Sequence, residues 1–137
     1  MFVVQWRGGM AFEALPPSGA KFLMDASLDS GGGGQGPTPV EAFLASAAGC
    51  SAMDVIAILQ KMRQDVQEYW VEIEWVRGPE GVFPRPVTEV TLTHHVRGED
   101  IDPDAVAKAV ELSDVKYCTV IATLRTAPKV TSRFHVE

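Results

Sequence analysis

From Val40 to about Arg63 the chain contains no proline and a single glycine, Gly49. Phe43, Leu44, Ala47, Ala48, Val55, Ile58, Leu59 and Met62 spread apolar side chains around most of this segment. Its start is well marked. Thr38 suits an N-cap, Pro39 the first helical position, and Glu41 completes a Thr-x-x-Glu capping box. A helix of about 24 residues is ~36 Å long, more than a typical globular helix. Such a helix is expected to be central and buried on most sides, with Gln60, Lys61, Arg63 and Gln64 emerging into water. Within it, Ala45–Gly49 carries only small residues, which let another backbone approach closely.

The remaining segments read as strands before this helix, and strands then helices after it. Phe2–Trp6 and Met10–Ala14 form a hairpin about Arg7-Gly8-Gly9, and Lys21–Met24 a third strand. Residues 29–37 carry four consecutive glycines and read as a mobile connection. No Gly-Lys-Ser/Thr follows them, so a phosphate loop is not supported. After Asp65 the period becomes two. Tyr69, Val71, Ile73 and Trp75 alternate with Glu68, Glu72 and Glu74, with Trp70 out of pattern. Thr88–Arg97 alternates in the same way, which gives a long antiparallel hairpin. Asp102-Pro103 opens a second helix, Tyr117–Arg125 reads as a third carrying Cys118, and Val130–Val136 as a closing strand. The order βββ-α-ββ-αα-β is α+β, in one domain over residues 1–137.

Composition narrows the function classes. The chain has 137 residues, 46% hydrophobic and 22% charged, with 18 acids against 12 bases and a net charge of -6. With no Lys/Arg cluster, nucleic acid is not an expected partner. No unbroken run of eighteen apolar residues and no signal-peptide pattern occurs, so no membrane partner and a cytoplasmic location are expected. In a reducing compartment the two cysteines, Cys50 and Cys118, are either redox-active or simply buried.

Cys50 lies inside the long helix beside Gly49. Cys118 lies near the start of a short one, where the helix dipole and Lys116 favour a thiolate. One thiolate attacking and the other resolving is the chemistry such a pair suits. Asp54, one turn beyond Cys50, opposes ionisation there unless a base or the backbone engages it. His94 and His95 are adjacent on a strand and point apart, so they do not share a metal. His94 reads as a core histidine, and no metal or cofactor is expected. No Gly-x-Ser-x-Gly occurs, so a serine hydrolase is not suggested.

Gly36-Pro37-Thr38-Pro39-Val40-Glu41, followed by the small-residue helix ending at Cys50, resembles the signature of the OsmC/Ohr family. Lys116-Tyr117-Cys118-Thr119-Val120 resembles its second motif, so the likeness covers essentially the whole chain. Ser51-Ala52-Met53-Asp54-Val55, with Leu59 and Arg63, is similar to the OsmC-like branch. The resemblance implies an intertwined homodimer with antiparallel sheets around central helices. It also implies a stress-response thiol peroxidase acting on organic hydroperoxides, recycled by a dithiol, lipoyl in several members. By position Cys50 is the peroxidatic cysteine and Cys118 the resolving one, joined in a disulfide during turnover. Glu41 falls in the family's glutamate region, and Arg7 is the candidate for its activating arginine. Nine residues along one helix span ~13.5 Å, so Glu41 reaches a cysteine only on a partner subunit, or serves solely as a cap. The alternative is a dimeric redox-sensing or small-molecule-binding protein of this fold without efficient turnover.

Overall fold

In a computed structural model describing Met1–Glu137, three strands precede a long helix, two strands follow it, and two further helices come next. The strands are β1 (Val3–Trp6), β2 (Phe12–Leu15), β3 (Phe22–Met24), β4 (Asp65–Arg77) and β5 (Val87–Glu99). The helices are α1 (Pro39–Lys61), α2 (Pro103–Leu112) and α3 (Thr119–Arg125). The fold is α+β, with both sheets antiparallel. It divides into two compact units, Met1–Ser46 and Ala47–Glu137, the division falling within α1.

In the first unit β1, β2 and β3 form a meander, with Trp6 opposite Phe12 and Phe12 opposite Met24. β2 starts two residues later than its apolar pattern suggests, because Ala11 closes the turn. Its N–H donates to Gly8 O and its carbonyl accepts from Arg7 N. The glycine-rich segment, which the sequence suggests is a mobile connection, is held by hydrogen bonds at several points. Asp25, 3% exposed, accepts from Ala26 N at 2.7 Å, Gly33 N at 3.1 Å and Gln35 N at 3.2 Å. Gly34 N donates to Ala26 O, and Asp25 N to Pro37 O. Two of its glycines are required by contact. A Cβ at Gly32 would lie 2.0 Å from Ala26 O, and one at Gly36 2.3 Å from Leu23 O.

The capping box at the start of α1 forms as its spacing predicts. Thr38 N donates to Glu41 Oε1 at 2.9 Å, and Glu41 N to Thr38 Oγ1 at 3.2 Å. α1 buries Leu44, Ala47, Ala48, Ser51, Val55 and Leu59, which recur at helical spacing, and leaves Phe43 and Met53 exposed. Its best 18-residue window has a mean hydropathy of 1.8 and is one-third buried. By length and composition alone α1 could therefore cross a membrane, which counting unbroken apolar runs does not register.

The second unit is built on the β4–β5 hairpin, with Tyr69 opposite Val96, Val71 opposite His94 and Ile73 opposite Leu92. Asp102 caps α2 by accepting from Asp104 N at 2.9 Å, and Pro103 takes the first turn. Val55, Leu59 and Ala109 make the fully buried core, with Tyr69, Val96, Val106 and Val110 packed around it. Trp70, out of pattern in the sequence, faces outward. It stacks on His95 at 4.9 Å beneath the Arg97 guanidinium.

Two expectations for the C-terminal third fail. α3 begins at Thr119 rather than Tyr117, because a wide π-helical turn over Ser113–Tyr117 intervenes. Residues 127–137 form no strand, and Val130, Phe134 and Val136 are 80–93% exposed. The alternation there is strand-like, but a strand needs a sheet edge to pair with, and none within the chain takes it.

Candidate functional site

Cys50 and Cys118 are neighbours in the second unit, both as free thiols. Cys50 is carried by α1 and is partly exposed, whereas Cys118 is buried. Cys118 sits just before α3 as its N-cap, and Ile121 N donates to its Sγ at 3.5 Å. Its own N–H donates to Ser113 O at 2.8 Å, which closes the wide turn.

The expectation that the helix start and Lys116 favour a Cys118 thiolate is reversed. Burial pushes the Cys118 thiol up, and the neighbouring Cys50 thiol adds to this. The N–H groups of Ile121 and Val120 pull the other way but do not prevail. Lys116 Nζ instead lies 5.2 Å over the Tyr117 ring. Between the two residues and Cys118 runs an open cleft of about 410 Å³, lined also by Thr119, Thr123 and Thr126.

Beside the cysteines lies a chain of polar side chains. Ser113, fully buried, donates to Asp54 Oδ2 at 3.1 Å and lies 3.2 Å from Ser51 Oγ. Ser51 in turn lies 3.5 Å from His94 Nε2, and His94 Nδ1 is 2.7 Å from the Tyr69 hydroxyl. A carboxylate oxygen only accepts, so with Ser113 donating to Asp54, Ser51 donates to Ser113 and His94 Nε2–H to Ser51. A neutral His94 then accepts from Tyr69 O–H at Nδ1. Burial lowers the His94 pKa, opposed by the Asp114 charge and reinforced by His95, so the neutral ring this order needs is favoured. Burial also raises the Tyr69 pKa to about 12.

Asp54 therefore engages a serine hydroxyl, neither the base nor the backbone that the sequence suggested. The Arg7 guanidinium pairs with Glu13 at 3.1 Å in the first unit. Glu41 is occupied by the capping box, and the Thr38 N–H and hydroxyl lower its pKa. His94 is the hydrogen-bonded, half-buried histidine expected, and His95 points to the opposite face of the strand. Ser113 could not be singled out from sequence, because its side-chain partners lie 59 and 62 positions away.

The profile of the family described as OsmC-like protein matches residues 32–133, which include both cysteines and Glu41. The chain belongs to the OsmC-like family. Protein YhfA of Escherichia coli K12 is 41% identical over 133 residues, covering 97% of this chain and 95% of YhfA. Among solved structures, a hypothetical protein from Aquifex aeolicus VF5 is 25% identical with a TM-score of 0.77, covering 93% of this chain and 87% of that one. An organic hydroperoxide resistance protein OsmC from Legionella pneumophila shares the fold at a TM-score of 0.64 and 17% identity, covering 92% of this chain and 90% of that one. OsmC-like proteins thus include hydroperoxide-resistance proteins, and α1, with its strand meander and hairpin, is this chain's version of their fold.

Proposed function

We propose that this OsmC-like protein is a cytoplasmic thiol peroxidase that reduces organic hydroperoxides as a homodimer. The observation that carries the reading is the meeting of Cys50 and Cys118, the first partly exposed and the second buried beneath a cleft. Cys50 thiolate attacks the distal peroxide oxygen, the O–O bond breaks, and the alcohol leaves with a proton, giving Cys50 sulfenic acid. The Cys118 thiol condenses with it, releasing water and forming the Cys50–Cys118 disulfide. A dithiol, of which lipoyl groups are one kind, then exchanges through a mixed disulfide and restores both thiols.

The dimer is supported by surface that the single chain leaves open. α1 is apolar nearly all round yet covers one stripe, and Phe2, Trp6 and Met10 of the first unit are more than half exposed. An intertwined dimer also offers residues 130–136 a sheet edge. It brings a partner's capping-box segment, with Glu41, within range of Cys50. Sedimentation tests it, and a stable folded monomer at micromolar concentration would count against it.

The deciding experiment follows hydroperoxide consumption with a dithiol. Cys50→Ser abolishes it, while Cys118→Ser allows about one turnover and then stalls, because only the first thiolate cleaves the O–O bond. Full activity in Cys50→Ser removes the enzyme reading. Two observations favour the rival, a redox-sensing or small-molecule-binding dimer: Arg7 is tied to Glu13, and a carboxylate stands one turn from Cys50. Disulfide formation over minutes without sustained turnover would select the sensor.

A further inference from the structure

We propose that Ser113 is a positioning residue for the thiol pair, and that Asp54 is its anchor. The inference rests on Cys50 and Cys118 acting as a dithiol, but not on peroxide being their oxidant. Three features converge on Ser113. Its carbonyl holds the Cys118 N–H at 2.8 Å, so it fixes the turn that presents Cys118. Its hydroxyl donates to Asp54 and meets Ser51, the residue after Cys50, so it fixes that turn to α1. It is 0% exposed, so no water can replace the bonds it makes.

Asp54 thereby finds a role that its place near Cys50 does not suggest. One turn along a helix from a reactive thiol, a free carboxylate discourages the thiolate. Here the carboxylate accepts from Ser113 and draws the Cys118 turn onto the helix that carries Cys50. The wide turn has a matching cause. Its i→i+5 bond between Ser113 O and Cys118 N shifts the chain by one residue relative to an α-helix. Cys118 consequently stands at the head of α3 while Ser113 still reaches α1.

The test is the equilibrium of the full-length protein in glutathione buffers. Cys50 and Cys118 lose two hydrogens to form their disulfide as oxidised glutathione becomes two reduced molecules. Alkylation and mass counting give the fraction oxidised. Ser113→Ala is expected to lower the effective concentration of the pair about tenfold, which raises its potential by about 30 mV. Asp54→Ala, which removes the anchor from the partly exposed side, moves it in the same direction. Asp54→Asn, whose amide oxygen still accepts from Ser113, stays within about twofold of the parent. Leu59→Ala supplies a destabilised control whose potential does not move.

An unchanged potential in Ser113→Ala and Asp54→Ala overturns the proposal. So does an equal shift in Leu59→Ala, which makes the effect one of general loosening. Asp54→Asn matching Asp54→Ala overturns it as well, because charge rather than the hydrogen bond is then at work. A parent that forms no disulfide in any buffer also ends it. A parent that titrates normally but consumes no hydroperoxide defeats the peroxidase reading and leaves this one standing.

Discussion

Asp25 and Ser113 are both almost wholly buried polar residues that hold an irregular stretch of backbone, in different units and by different means. Asp25 works locally. Its two oxygens collect three N–H groups from positions 1 to 10 residues ahead and close the glycine-rich segment around themselves. Ser113 works at long range, because a single hydroxyl ties its turn to α1 across 59 and 62 positions. A charged acceptor surrounded by backbone donors makes a self-contained knot. A neutral hydroxyl placed between a carboxylate and another serine makes a joint between two elements. The first shapes a loop, whereas the second sets the spacing of a reactive pair.

The largest effect is expected at the local knot. Asp25→Ala removes the acceptor of three N–H groups, of which those of Gly33 and Gln35 lie on exposed residues that water can reach, a loss of about 3–4 kcal/mol in denaturant stability. Asp25→Asn should fall between, because only one of its two atoms still accepts. A loss under about 1 kcal/mol in Asp25→Ala would mean that the glycine-rich segment is held by its backbone bonds alone. Leu59→Ala comes next. It removes a fully buried side chain from the core of the second unit, at about 3 kcal/mol. Since Leu59 touches neither cysteine's hydrogen bonds, its effect should appear in urea melts and not in the redox equilibrium.

The same contrast of local and distant partners explains what could be read in the sequence. The capping box, the two faces of His94 and His95 and the Asp102 cap depend on neighbours a few residues away, and the β4–β5 hairpin on two consecutive alternating segments. Each is present as its spacing predicts. Cys50 and Cys118 were legible through motifs, each matched separately. Ser113 belongs to no motif, because the residues that give it meaning lie on another element. The 130–136 strand failed for the complementary reason: its alternation is local and present, but its pairing partner is not supplied by the same chain. The hydrogen bonds around the glycine run were not legible because Asp25, six residues before Gly31, carries no sign that its carboxylate turns inward.

A smaller effect should follow His94, at the far end of the Ser113 chain. Burial lowers its folded pKa below the ordinary 6.5, against the pull of Asp114. Below that value the unfolded chain gains a proton that the folded chain declines, so stability falls as pH drops from 6.5 through the lower folded value. Charging the ring also removes the Nδ1 acceptor that Tyr69 O–H needs. His94→Gln should flatten the slope of stability against pH below 6.5, measured by urea melts at several pH values. An unchanged slope in that variant would assign the pH dependence to other groups.

The smallest shift is expected at Glu41, whose side chain lies at the surface and whose bonds are as local as those of Asp25. The Thr38 N–H, and after it the Thr38 hydroxyl, lower its pKa from 4.5, so its stabilising effect is present above that value and lost as pH falls through the folded one. Glu41→Gln keeps an oxygen that can accept from Thr38 N, whereas Glu41→Ala keeps none. If Glu41 only caps α1, melting temperature drops slightly in Glu41→Ala, less in Glu41→Gln, and the peroxidase rate per folded protein is unchanged in both. If it also organises a partner subunit's thiolate, both variants lose rate by orders of magnitude while their melting temperatures differ as before. The glutamine variant separates the two roles, because it restores the cap's acceptor but not the charge.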